Sequence, residues 1–168
     1  MPYEDRGGAA MMIGMSDLIE ILALVCTGLY AGYMLAFLSG VMPALKEVDD
    51  ASFTLVMRTV NRKVPGPFFL LLFLGSLGFP AVSFFVAPEA RNGSGGTFVG
   101  IAAVCALVGH LITSGGNVPL NNALKSSRDQ GDERAARAAF EGRWNALHGA
   151  RTLFAVAAFV LMAVALPR

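Results

Sequence analysis

The chain has 168 residues, of which 55% are hydrophobic and 15% charged, and its formal net charge is +1. Because soluble domains carry about 25% charged residues, this composition excludes an ordinary soluble domain. The nearly neutral charge provides no attraction toward nucleic acid, so no nucleic-acid partner is expected.

Four stretches contain most of the hydrophobic residues. They are Leu18–Leu45, Pro67–Pro88, Thr97–Ile112 and Leu153–Leu166. A helix crosses a ~30 Å hydrocarbon layer with roughly 20 apolar residues, which the first two stretches supply alone and the last two supply with their flanks. The sequence therefore predicts an all-α fold, a bundle of four transmembrane helices in a lipid bilayer.

Residues 1–16 precede the first stretch and are predicted to form an N-terminal tail, with residues 17–168 as a single four-helix membrane domain. The tail contains acidic residues as well as Arg6, and the apolar run after it is too long for the core of a cleaved signal peptide. The first span is therefore expected to be retained. Alternative start residues are Met11, Met12 and Met15.

The two long connections between spans are predicted to form amphipathic helical extensions. Asp49 or Asp50 is a suitable N-cap for a helix that runs to about Lys63 and stops before Pro65. A second helix is predicted to begin near Asp132, in an alanine-rich charged run, and to continue into the fourth span.

The positive charges predict the orientation of the bundle. Ten of the 13 Lys and Arg residues fall in the two long connections, whereas Arg6, Arg91 and Arg168 lie on the other side. The positive-inside rule then places both connections in the cytoplasm and both termini outside. A short glycine-rich link, Glu89–Gly96, is predicted to join the second and third spans.

Two pairs of glycines four residues apart predict close helix packing. They are Gly28 with Gly32 and Gly96 with Gly100. We expect them to serve packing within one bundle, with a homo-oligomer as the alternative. The two cysteines lie inside apolar stretches and are expected to be small hydrophobic residues.

Both histidines are candidate functional residues, because an ionisable side chain at membrane depth is costly unless it is paired or faces a cavity. For His110, near the end of the third span, a structural hydrogen bond to a neighbouring helix is the main expectation and cofactor binding the alternative. His148 shares one helix face with Trp144 and Arg151. An interfacial belt explains Trp and Arg but not the histidine. We therefore expect His148 to face a partly water-filled cavity and to be replaceable by alanine with loss of activity but not of stability.

Three asparagines follow the third span. Asn117, Asn121 and Asn122 surround Pro119, which predicts a tight turn in which Asn117 caps the next helix. An amide offers donors and an acceptor without charge, which suits a phenol, a carbonyl or bound O2, and solvated loop asparagines are the alternative. Asn61, in the first connection, could point at the same space.

Tyr30 and Tyr33 of the first span need partners for their hydroxyl groups, which His110 or a ligand could provide. Separate segments thus bring polar residues to one depth, and a pocket in the inner half of the bundle is predicted. Its expected lining is Tyr30, Asn61, His110, Asn117, Asn121, Trp144, His148 and Arg151.

Five segments together resemble the anthrone-oxygenase-like family of small four-helix membrane proteins. They are residues 29–34, 41–45, 57–61, 117–124 and 144–151. The likeness extends from about Leu18 to Leu166. Its most specific features are the Asn-x-Pro-Leu-Asn segment and the Trp-x-x-x-His-x-x-Arg stripe in combination.

The resemblance implies an integral membrane oxygenase that converts the activated methylene of an anthrone to the ketone of an anthraquinone. A small hydrophobic aromatic molecule and O2 are then the expected partners, and the inner (plasma) membrane of a bacterium the expected location. The expected catalytic residues are His148, as base or axial ligand, and Arg151, Asn117 and Asn121, which would stabilise an oxyanion. The expected substrate-binding residues are Tyr30, Tyr33, Asn61 and Trp144.

No metal is expected, because the sequence has no HExxH or CxxC motif and no intramembrane carboxylate beyond Glu20 to complete a non-haem iron site. The expected cofactor is none, or a haem with His148 or His110 as axial ligand. Two other functions stay open. One is a haem- or quinone-binding redox or sensor module, and the other is a non-catalytic membrane subunit or carrier, which tight packing without a cavity would favour.

Overall fold

A computed structural model describes residues 6–86 and 94–165 of the chain, and within these ranges it contains helices and no strand. The helices are α1 (Arg6–Ala36), α2 (Met42–Leu45), α3 (Asp50–Lys63), α4 (Pro67–Val86), α5 (Gly95–Ile112), α6 (Val118–Ser126) and α7 (Glu133–Ala165). Four helical runs are long and apolar enough to cross a membrane, which confirms the predicted four-span bundle. The predicted link and span ends at residues 87–93 and 166–168, with Arg91 and Arg168, lie outside the described residues.

The four spans pack in a ring in which α1 and α5 each contact both α4 and α7. Glycines permit the close approaches: a Cβ at Gly28 would lie 2.9 Å from the Phe159 ring, and one at Gly100 would lie 3.0 Å from the Phe84 ring. Their partners in the predicted pairs, Gly32 and Gly96, have nothing within 4 Å. One glycine of each pair therefore serves packing within the bundle.

The helices extend beyond the membrane at one end of the bundle, here called the polar end and formed by α3, α6 and residues 133–148 of α7. With 33 residues α7 is about 50 Å long, well beyond a ~30 Å hydrocarbon layer. A separate apolar cluster, including Phe53, Met57 and Phe140, holds these extensions together.

Both predicted extensions start where the sequence indicated. The Asp49 carboxylate accepts a hydrogen bond from the Ser52 backbone N–H at 2.9 Å and caps α3, and this bond lowers the pKa of Asp49. At the start of α7 the Asp132 carboxylate accepts from the Ala135 backbone N–H at 2.9 Å. The charged side chains thus replace the missing helical acceptors of each first turn.

Two arginines fasten α3 to the other helices of the polar end. Arg58 donates to the Leu124 carbonyl at 2.9 Å and to Glu133 at 2.8 Å, which ties α3 to α6 and α7. Arg137 of α7 donates to Asp50 at 3.2 Å, and its guanidinium lies 4.5 Å from the centre of the Phe53 ring. These contacts hold α3 over the end of the bundle.

Two single π-helical turns interrupt the spans, Phe37–Val41 between α1 and α2 and Thr113–Asn117 between α5 and α6. The predicted tight turn capped by Asn117 is wrong, because the chain stays helical through Val118 and the Asn117 side chain makes no cap. The wider π turn absorbs Gly115 and Gly116 without breaking the helix. It rotates the side chains after it by roughly 100°, the angle of one residue in a 3.6-residue turn.

Candidate functional site

A small, partly open cavity of about 90 Å³ lies at the polar end of the bundle, where α1, α3, the second π turn and α7 meet. Aromatic rings form one wall: Tyr33 and Phe37 stack with their centroids 5.9 Å apart, and Phe69 and Trp144 extend the surface. The Phe37 ring lies in the first π turn. The cavity therefore presents flat apolar surface to a ligand.

Asparagine side chains reach the cavity from three elements. Asn61 comes from α3, beside Val60 and Val64. Asn117 and Asn121 come from the second π turn and α6. The prediction that Asn61 shares a space with the asparagines after the third span agrees with this placement.

Arg151 of α7 is the charged group of the cavity. It is 7% exposed, and its guanidinium lies 5.5 Å from the centre of the Trp144 ring. Its Nη1 donates to the Thr113 hydroxyl at 3.3 Å. Among the described residues no carboxylate forms an ion pair with Arg151. A buried cation without a counter-ion is costly, so this placement indicates a site for a negative charge.

His148 lies behind Arg151 and does not line the cavity. Its Nδ1 accepts hydrogen bonds from Nε and Nη2 of Arg151 at 3.1 and 2.9 Å, because a guanidinium can only donate. The proton is therefore on Nε2, which donates to the Met34 carbonyl at 3.2 Å. The ring is 0% exposed and stacks on Trp144 with 4.7 Å between centroids. The sequence predicts that His148 faces a partly water-filled cavity. In the structure packed side chains surround its ring, and the histidine orients Arg151.

The side-chain amides of Asn117 and Asn121 differ in their hydrogen bonds. The Asn121 side-chain oxygen accepts from the Trp144 ring N–H at 2.9 Å. The Asn117 Nδ2 donates to the Trp144 backbone carbonyl at 3.3 Å, while its Oδ1 is buried without a hydrogen-bond partner. The Nδ2 of Asn61 also has no partner. The cavity thus carries polar atoms that the described protein does not satisfy.

Tyr30 and His110 lie deeper in the bundle, on a second, smaller and buried cavity. The His110 ring nitrogens lie 2.7 Å from the Ala106 carbonyl and 2.6 Å from the Phe73 carbonyl, so both face protein backbone. The expected hydrogen bond from Tyr30 to His110 is absent, and the Tyr30 hydroxyl has no hydrogen-bond partner in the described structure. The π turn explains the separation, because it rotates Asn117 off the helix face that carries His110.

Sequence reasoning brought Asn61, Asn117, Asn121, Trp144 and Arg151 to one cavity, and the structure does the same, with Tyr33 beside them. Sequence reasoning missed Thr113 and Phe69, which also line the cavity. Thr113 had one available signal, its position two residues before a pair of glycines within a long helical run. Phe69 lies in a uniformly apolar stretch, where sequence gives no signal.

The histidines do not fit a haem. An axial ligand needs a ring nitrogen that faces the metal. In this geometry both nitrogens of His110 lie against backbone carbonyls, and both nitrogens of His148 are bound to protein groups. Across the described ranges 6–86 and 94–165, no three His, Cys, Asp or Glu side chains lie close enough together to hold a metal ion.

Comparison with known proteins identifies the family. Residues 53–161 match the family model described as "Anthrone oxygenase", which covers more than half of the chain. The chain belongs to the anthrone oxygenase family. No curated protein and no solved structure matched the chain. The matched region includes the Asn-x-Pro-Leu-Asn segment and the Trp-x-x-x-His-x-x-Arg stripe of α7. It also includes every polar residue of the cavity except Tyr33.

Proposed function

We propose that the protein is a membrane oxygenase that uses O2 to oxidise a flat phenolic or anthrone-type molecule in the cavity. The observation that carries the proposal is the buried Arg151, which lines the cavity and forms no ion pair with a carboxylate among the described residues. An activated C–H that loses its proton leaves an enolate, and a buried guanidinium stabilises such an oxyanion strongly. Family membership supports the same reaction class.

The reaction balances with O2 as the only co-reactant. The methylene carbon loses two hydrogen atoms, one oxygen atom of O2 becomes the new carbonyl oxygen, and the other leaves as water. Nε, Nη1 and Nη2 of Arg151 each use one N–H on His148 or Thr113, so two of its five N–H groups remain for a substrate oxygen. The aromatic wall of Tyr33, Phe37 and Trp144 would hold the flat ring by stacking.

His148 would act through Arg151. While the guanidinium binds Nδ1, the imidazole has no acceptor free. If the carbonyl oxygen of the bound substrate draws the guanidinium toward it, Nδ1 becomes available to accept the proton that the activated C–H loses, and the guanidinium stabilises the enolate that remains. The predicted role as base therefore depends on substrate binding.

The test uses the full chain purified in dodecylmaltoside with 1,8-dihydroxyanthrone as substrate. Oxygen uptake and quinone absorbance should show one O2 consumed per quinone above the spontaneous rate. Arg151→Met should lower kcat about 100- to 1000-fold, because it removes the oxyanion donor. Arg134→Met, at an exposed position on the same helix, is the matched control and should keep the wild-type rate. Equal rates for wild type and the Arg151 variant would disprove the proposal.

The other candidate functions have less support. A haem module needs a free histidine nitrogen, and a visible spectrum without a Soret band would exclude it for the purified protein. Tight packing without a cavity would favour a non-catalytic subunit or carrier, whereas the bundle contains a partly open cavity with unpaired polar atoms.

A further inference from the structure

Asn117 presents a buried acceptor to the cavity that nothing in the described protein satisfies. The residue is 1% exposed, and its Oδ1 has no hydrogen-bond partner. The Nδ2 contact with the Trp144 carbonyl orients the amide, so the acceptor and not the donor faces the unfilled position. A buried acceptor without a partner destabilises the folded protein, and a hydrogen bond from a bound ligand would remove that cost.

Several donors of the cavity are used elsewhere. The Trp144 ring N–H is bound to Asn121, the Thr113 hydroxyl donates to the Gly109 carbonyl, and three N–H groups of Arg151 are bound to His148 and Thr113. None of the described groups donates to the Asn117 Oδ1, so a molecule in the cavity can supply that donor.

The position of Asn117 relative to Arg151 sets a geometric requirement. Arg151 is held by Thr113, which lies four residues before Asn117 in the same π turn. Asn117 and Arg151 both line the cavity. A ligand that satisfies both presents an anionic or carbonyl oxygen to Arg151 and a hydrogen-bond donor to Asn117.

We infer that Asn117 is a specificity-determining residue that requires the aromatic ligand to donate a hydroxyl or N–H hydrogen bond, separately from the oxygen that Arg151 recognises. This inference rests on the proposed function for the aromatic nature of the ligand. It adds the group that the ligand must carry and the residue that selects it. An otherwise identical ligand without that donor leaves the buried Oδ1 unpaired and binds more weakly.

The experiment measures binding without turnover. Trp144 is the only tryptophan of the chain and lines the cavity, so its fluorescence reports occupancy directly. The probes are 2-hydroxyanthraquinone and 2-methoxyanthraquinone, titrated at pH 6 so that the hydroxyl keeps its proton. The wild-type Kd should be at least about tenfold lower for the hydroxy compound.

Three variants distinguish loss of the Asn117 acceptor from a general loss of polarity in the cavity. Asn117→Leu should bring the ratio of the two Kd values to about 1, because leucine keeps the volume and removes the acceptor. Asn121→Leu is the matched control, since the Asn121 oxygen is already occupied by Trp144, and it should keep the wild-type ratio. Asn117→Asp, which keeps an acceptor, should also keep the preference for the hydroxy compound.

Three results would overturn the inference: no preference in the wild type, an unchanged ratio in Asn117→Leu, or an equal loss in Asn117→Leu and Asn121→Leu. Equal wild-type Kd values would overturn the inference even if a variant does not fold, and Asn117→Asp is then the second variant that can be measured. The outcome is also independent of oxygenase activity. Selective quinone binding without anthrone oxidation would disprove the proposed function alone, whereas oxidation without selectivity would disprove only the role of Asn117.

Discussion

Replacement of His148 by leucine should destabilise the protein by leaving a buried charge without its acceptor. Nδ1 of His148 accepts from two nitrogens of Arg151, and neither residue has other ionic compensation among the described residues. Leucine fills most of the ring volume but accepts nothing. This expectation differs from that based on sequence alone, in which His148 could be lost without an effect on stability.

The magnitude follows from the nature of the bond. A hydrogen bond to a charged group contributes about 1.5–3 kcal/mol, and the two contacts share one acceptor, so we count one such bond. The cost is then about 2 kcal/mol, or about a 30-fold change in the unfolding equilibrium constant. Arg151→Met should cost less, because it leaves a neutral imidazole nitrogen unpaired instead of a charge.

A double-mutant cycle isolates this term from the lost stacking on Trp144. The variants are His148→Leu, Arg151→Met and both together, unfolded in mixed micelles of SDS and dodecylmaltoside and followed by circular dichroism. The double variant should be more stable than the sum of the single effects predicts, with a coupling of about 2 kcal/mol, because it contains neither the charge nor the acceptor. Additivity within about 0.5 kcal/mol would refute the reasoning that His148 holds Arg151.

Three further predictions concern packing, orientation and pH. Gly75→Ala should destabilise the bundle by about 1–3 kcal/mol, because the new Cβ would lie 2.8 Å from the Cys26 sulfur of α1. Gly78→Ala is the control and should not destabilise it, because a Cβ there has nothing within 4 Å. Unfolding of both variants in SDS measures the difference. In a cysteine-free background, an impermeant thiol reagent added outside cells should label a cysteine placed at Asn92 and not one at Arg128, and the reverse pattern would exclude the predicted orientation. The pKa of Asp49 is lowered in the folded state, so its stabilising charge is present above the unfolded pKa and is lost as the pH falls below about 4. The difference in Tm between wild type and Asp49→Asn should therefore change below about pH 4 and stay constant above about pH 6.

The membrane class of this protein follows from its sequence. Long apolar runs can only be helices that span a bilayer, since every backbone polar group must be satisfied within the segment. The starts of α3 and α7 can also be predicted from the sequence. A helix cap depends on one side chain and the backbone N–H three residues later, as at Asp49 and Asp132. Helical periodicity also placed Trp144, His148 and Arg151 on one face, which the structure retains.

The tertiary structure decided which of these residues face the cavity. Periodicity assumes 3.6 residues per turn, and the π turn at Thr113–Asn117 breaks that assumption, so His110 and Asn117 reach different cavities despite their spacing of seven residues. Sequence could not show that His148 lies behind Arg151, because the partner that fixes its ring, the Met34 carbonyl, comes from a helix more than a hundred residues away. Whether a polar side chain is satisfied or left for a ligand depends on such distant neighbours, and only the packed bundle brings them together.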